Sequence, residues 1–196
     1  MNFAIVGATG NVGRKTIKIL EKSKLKINSL FLVASKRSAG KKISFKRKKI
    51  KIEALENYDF SKAAITFFAA GSIIAKKWAS IAAKQTIVID NSKHFRMDRN
   101  IPLVVPEVNE SALKNYKKTN IIANPNCSTA QLVVALKPLH DKFKIKRVVV
   151  STYQAVSGAG KAPMDELFSQ TKDFLNDKKI KSINFTKQIA FNLIPH

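Results

Sequence analysis

Four apolar residues, Phe3-Ala4-Ile5-Val6, lead directly into Gly7-Ala8-Thr9-Gly10-Asn11-Val12-Gly13. Helical spacing follows, with Val12, Thr16, Ile17 and Leu20 on one face. A continuous apolar strand has to be covered on both faces. A glycine loop between such a strand and a helix supplies a tight turn, a close backbone approach to a pyrophosphate, and close helix-to-strand packing. The loop N–H groups and the helix N-terminus then form an anion site. Gly7, Gly10 and Gly13 are therefore candidate dinucleotide-binding residues, with a bare turn as the alternative.

The same alternation continues. Leu30 to Ala34 reads as a second buried strand, and Ile43/Phe45 with Ile50/Ile52 as a hairpin around the solvated turn Lys46-Arg47-Lys48-Lys49. Ala64 to Ala70 is a strand ending at Gly71-Ser72, followed by a helix with Ile74, Trp78 and Ile81 on one side and by the strand Thr86 to Asp90. Strands alternating with amphipathic helices predict a doubly wound, mainly parallel α/β sheet with right-handed crossovers. Ligands of such sheets bind beyond the carboxyl ends of the strands. Trp78 reads as core packing.

In dinucleotide folds the tip of the second strand usually offers an acid to the ribose hydroxyls. Here Ser35-Lys36-Arg37-Ser38-Ala39-Gly40-Lys41 is basic and carries no carboxylate. Arg37 and Ser38 suit a 2′-phosphate, which predicts NADP; ordinary solvated side chains are the alternative.

The only cysteine lies in Ile121-Ile122-Ala123-Asn124-Pro125-Asn126-Cys127-Ser128-Thr129-Ala130. A short strand and a Pro-bent turn precede it, and Leu132, Leu136, Leu139 and Phe143 follow at helical spacing. A cysteine at a helix start meets unpaired N–H groups and the positive end of the dipole, which favours thiolate over thiol. The competing reading is a small buried hydrophobe. Arg96 is a candidate anion clamp, and His94 a surface or loop-bonding residue. The three histidines allow no metal cluster at usual ligand spacings. Arg147 to Val156 reads as a strand, near whose end Gln154 either bonds a substrate carbonyl or caps an edge. A helix with Met164, Leu167 and Phe168 follows, then the apolar segments Ile183 to Phe185 and Gln188 to Ile194.

The net charge of +23 comes from 36 Lys plus Arg against 13 Asp plus Glu. The basic residues are spread along the chain and no aromatics interleave with the densest cluster to stack bases, so no nucleic-acid partner is expected. No apolar run reaches the roughly 20 residues that span a bilayer, so no membrane partner is expected either. With a single cysteine and a first strand starting at Asn2, a cytoplasmic, reducing setting without a signal peptide is expected.

The motifs GATGNVG, ASKRSAGKK, DNSKHFRMD with PLVVPEVN, ANPNCSTAQ and STYQAVSGAG together resemble the aspartate-semialdehyde dehydrogenase family, in order and spacing. The resemblance covers this chain but only the N-terminal half to two-thirds of a family member. It implies NADPH-dependent reduction of L-aspartyl 4-phosphate to the semialdehyde, in the lysine, methionine and threonine pathways, with release of inorganic phosphate. It implies Cys127 as nucleophile, Gln154 as the residue orienting substrate, and Arg96 and Asn126 in the phosphate and substrate pocket. Thr9, Gly10, Asn11, Val12, Arg37, Ser38, Ser72, Ser157 and Gly158 would touch NADP, and the complete protein would be a homodimer. Residues 1–150 would form the NADP-binding domain, and 151–196 the incomplete start of an α+β catalytic and dimerisation domain. The family's histidine acid/base and its substrate-carboxylate arginine would fall downstream of His196, so this chain alone is expected to be nearly inactive. A silent NADP-binding remnant is the alternative. The related N-acetyl-glutamyl-phosphate reductase shares the plan but differs at the cysteine motif.

Overall fold

The computed structural model describes residues 1–195. They form two compact units, Met1–Val150 and a second beginning at Ser151.

The first unit is built on seven strands: β1 (Asn2–Val6), β2 (Ser29–Ala34), β3 (Lys42–Phe45), β4 (Lys48–Ala54), β5 (Ile65–Phe68), β6 (Ile87–Asp90) and β7 (Ile121–Ala123). They lie in the order β3-β4-β2-β1-β5-β6-β7, all pairings parallel except the β3–β4 hairpin. The Rossmann-like sheet expected from the sequence is present. Side-chain parity along β1 explains its uninterrupted apolar character. Phe3 and Ile5 pack with Ile17 and Leu20 of α1 (Asn11–Lys22) and with Leu30 and Leu32. Ala4 and Val6 face the other layer, with Val33, Phe68 and the Ala75, Ala79 and Ala82 stripe of α2 (Ser72–Ala82). Each fully buried Leu or Ile contributes about 1.5–3 kcal/mol, so both faces of the strand hold the sheet.

Small shifts from the expected faces have packing reasons. In α1 the buried stripe is Gly13, Ile17 and Leu20, while Val12 is half exposed. In α2 alanines take the closest position to the sheet, Trp78 packs at the margin of that core, and Ile81 points outward. The hairpin turn places Lys46 and Arg47 both at positive φ, the geometry a two-residue turn needs to match strand twist.

Beyond β7, α3 (Pro106–Asn109) having come earlier, α4 (Cys127–Phe143) runs 17 residues with Pro138 inside it. The helix expected from the spacing of Leu132, Leu136, Leu139 and Phe143 is present, but it buries none of its residues, and Phe143 is 67% exposed. The strand expected from Arg147 to Val156 is absent: no ladder bond forms there, and Val149 is 83% exposed. Gln154 is thus an exposed residue of an irregular segment and not of a strand end. An apolar run becomes a strand only where a neighbouring strand takes its N–H and C=O groups, and no strand of the described residues pairs with this one.

The second unit holds a 3-10 turn at Val156–Ala159 and α5 (Lys161–Leu175). The segments Ile183 to Phe185 and Gln188 to Ile194 are not strands either. Two side chains of α5 take over the role of a neighbouring strand. Glu166 accepts the N–H groups of Ile183 and Asn184, and Gln170 Oε1 accepts those of Ile189 and Ala190. The buried face of α5 is therefore Glu166 and Gln170, while Phe168, expected on an apolar face, is 69% exposed.

Candidate active site

Six parallel strands send their following loops to one edge of the sheet. The chain reverses its direction of travel between β1 and β5, which makes that edge a topological switch point. Gly7 turns out of β1 at φ +86°, and its N–H and that of Ala8 both donate to Val33 O of the adjacent strand. A Cβ at Gly7 would lie 2.7 Å from the carbonyl of Ala69, and one at Gly13 would collide with Gly7 O. These two glycines are required by packing. Gly10, N-cap of α1, has only Gly7 O at 3.4 Å and Ala69 O at 3.9 Å near its hypothetical Cβ. Thr9 is partly buried, and Asn11 and Val12 open α1 on its exposed side. No acid sits in the first turn of α1.

Arg37 and Ser38 stand on a 3-10 turn just past β2, with Arg37 exposed. Ser72 is the first residue of α2, after Gly71 at φ +83° with open space beside it. The loops after β2, β1 and β5 thus bring the glycine turn, Arg37, Ser38 and Ser72 to the carboxyl ends of three adjacent strands. These residues, basic and without carboxylates, could hold a dinucleotide cofactor. Ser157 and Gly158 lie in the 3-10 turn of the second unit.

The ends of β6 and β7 carry the second half of the site. Asp90 closes β6 fully buried, receiving the Ser92 N–H at 3.1 Å and its hydroxyl at 2.6 Å. Burial pushes this carboxyl above its ordinary range, against the opposing pull of the Ser92 bonds and of nearby His94 and Arg96. The Ser92 oxygen accepts the His94 N–H, which tightens the turn that brings Arg96 back to the sheet. Arg96 Nε donates to Asn124 O at 2.8 Å, and Nη2 to Asn91 O at 3.1 Å. The guanidinium is thereby pinned to the loop that delivers Cys127. His94 stacks edge-on against Phe95 and is exposed, as a surface residue.

Cys127 is the first residue of α4 and is exposed. Asn126 caps the helix, accepting the Ser128 N–H at 2.9 Å and the Cys127 thiol at 3.9 Å. An N-cap of this kind fixes the turn, and with it the sulfur, at the positive end of the helix. Among the described residues no three His, Cys, Asp or Glu side chains gather as a metal site, and no helix is long and apolar enough to cross a membrane.

Residues 2–116 match the semialdehyde dehydrogenase NAD binding domain, and residues 136–196 the semialdehyde dehydrogenase dimerisation domain. The chain belongs to the semialdehyde dehydrogenase family. Cys127 lies between the two matched segments, and the second begins at Leu136, inside α4. An aspartate-semialdehyde dehydrogenase of Rickettsia bellii is 52% identical over 100% of this chain, which spans 58% of that relative. The crystal structure of Vibrio cholerae aspartate semialdehyde dehydrogenase II complexed with ASA superposes with TM-score 0.96 at 49% identity, over 100% of this chain and 58% of that one. The Candida albicans aspartate semialdehyde dehydrogenase solved with NADP gives TM-score 0.62 at 30% identity, over 72% of this chain and 47% of its own.

Sequence reasoning passed over Asn91 and Asn124. Each directly follows its strand, and Asp90 and Ala123 are register partners, so the two asparagines are equivalent positions on adjacent strands, a pairing that the sequence alone does not show.

Proposed function

We propose that the whole protein to which these residues belong reduces L-aspartyl 4-phosphate to L-aspartate 4-semialdehyde with release of phosphate. The observation that carries this reading is the pinning of the Arg96 guanidinium to the carbonyl of Asn124, three residues before an exposed Cys127 at a helix start. An anion clamp beside a sulfur nucleophile matches an acyl phosphate. The sulfur of Cys127 attacks the acyl carbon, the carbon–oxygen bond to phosphate breaks, and the electron pair leaves with phosphate. Arg96 and Asn126 stabilise the departing oxyanion, and Gln154 orients the carbonyl. The product on Cys127 is a thioester, whose carbonyl accepts hydride better than an ester does.

NADPH, when bound, supplies that hydride. The glycine turn with Thr9, Asn11 and Val12 would hold its pyrophosphate, Arg37 and Ser38 its 2′-phosphate, and Ser72, Ser157 and Gly158 the remainder. The unit Met1–Val150 is assigned to dinucleotide binding and the nucleophile. Residues from Ser151 are assigned to the opening of a catalytic and dimerisation domain, consistent with a homodimer in the cytoplasm. The test is NADPH oxidation driven by aspartyl phosphate in the whole protein. Turnover that vanishes in Cys127→Ser with an unchanged melting temperature supports the reading, and turnover that survives overturns it.

A further inference from the structure

The two carbonyls that hold Arg96 belong to residues that also bond each other. Asn124 Nδ2 donates to Asn91 Oδ1 at 2.7 Å, so the loop after β6 and the loop after β7 are tied side chain to side chain. Asn91 Nδ2 donates in turn to Phe68 O at 3.2 Å, anchoring the pair on β5, and the Asn124 N–H donates to Asp90 O at 2.8 Å. Arg96 completes a closed ring with these two residues through Asn91 O and Asn124 O. A guanidinium has five N–H donors, and the ring uses two of them, so three remain to face an oxyanion.

We propose that Asn91 and Asn124 are positioning residues that set the spacing of the two carbonyls and so aim Arg96 at the phosphate of the substrate. The inference rests on the reading of Arg96 as the phosphate clamp. Two neutral carbonyls on separate loops hold a charged fork in one orientation only while their separation is fixed. The asparagine bridge sets it side chain to side chain, beside the backbone bond from the Asn124 N–H to Asp90 O. Without the bridge Arg96 keeps its charge but samples more orientations, and the anion loses affinity while the nucleophile stays in place.

The single thiol makes a direct test possible in the 196-residue chain. Alkylation of Cys127 by iodoacetamide is followed as inorganic phosphate is raised, which yields a phosphate-free rate and a half-protecting phosphate concentration. Arg96→Ala should abolish protection. Asn91→Ala and Asn124→Ala should each raise the half-protecting concentration about tenfold, the equivalent of one lost hydrogen bond. That increase should exceed any change in the phosphate-free rate. A purely structural role would move the phosphate-free rate and the melting temperature together and leave no selective shift. If Arg96→Ala keeps its protection, the clamp reading itself fails. If Arg96→Ala loses it while both asparagine variants protect like the wild type, the clamp stands and the positioning role is overturned. Failure of both asparagine variants to fold would also overturn it, since the bridge would then be a fold determinant.

Discussion

The carboxylate of Glu166 accepts both the backbone N–H and the side-chain Nδ2 of Asn184, each at 2.6 Å. Eighteen residues of chain are closed by this contact, with Gln170 Nε2 and the Ile183 N–H on the other oxygen at 2.9 Å. Burial raises the carboxyl, but the bonds from Ile183, Asn184 and Gln170 outweigh it and hold the group below its ordinary range. A carboxylate lowered on folding contributes stability above its unfolded value and loses it as pH falls through the folded value. Amide exchange at Ile183 and Asn184 should therefore accelerate selectively as pH is lowered from about 7 to about 3, relative to amides of β1. Glu166→Gln should show fast exchange at both ends of that range, because its amide presents a donor to donors. Exchange in the wild type that follows β1 throughout would contradict the account.

Tyr58 offers a stability test in the other unit. Its ring packs tilted on Phe31 and edge-on to Phe60, with centroids 5.8 and 5.2 Å away, and its buried hydroxyl finds no partner among the described residues. Tyr58→Phe should therefore raise stability, by up to about 1 kcal/mol in denaturant titration. Burial, with Glu53 and Asp59 nearby, pushes the phenol above its ordinary range. A group raised on folding contributes stability below its unfolded value that is lost as pH rises. The wild type should thus lose stability above about pH 10 more steeply than Tyr58→Phe. A loss of stability on removing the hydroxyl would mean that it has a partner.

The proposed NADP preference can be tested at Arg37. A charge-assisted bond to a 2′-phosphate is worth about 1.5–3 kcal/mol, so Arg37→Ala should weaken NADP binding roughly ten- to hundredfold and leave NAD binding nearly unchanged. Fluorescence titration with both dinucleotides measures it. An unaltered ratio would remove Arg37 from the site.

Much of the first unit could be read from the sequence because its signals are local. Phe3 to Val6, the glycine turn and the β3–β4 hairpin each carry their own pattern, and the sheet follows by pairing them. The segments at Arg147 to Val156 and Ile183 to Ile194 misled for a physical reason. Apolar composition marks what a segment can pair with, but pairing needs a neighbouring strand; neither segment has one, and in the second Glu166 and Gln170 supply side-chain acceptors instead. Cys127 and Arg96 were legible as chemical types in turns. The Asn91–Asn124 bond was not, since it depends on the register of two strands that are 33 residues apart in sequence.

Cys127 as the nucleophile on an acyl phosphate is the central claim, and intact-protein mass spectrometry tests it most directly. The 196-residue chain is incubated with L-aspartyl 4-phosphate in the absence of NADPH, then digested and mapped. The account predicts one aspartyl group on Cys127, cleaved by hydroxylamine, one equivalent of phosphate released per adduct, and no adduct in Cys127→Ser. An unmodified Cys127, or an equal adduct on other residues of the Cys127→Ser chain, would contradict it.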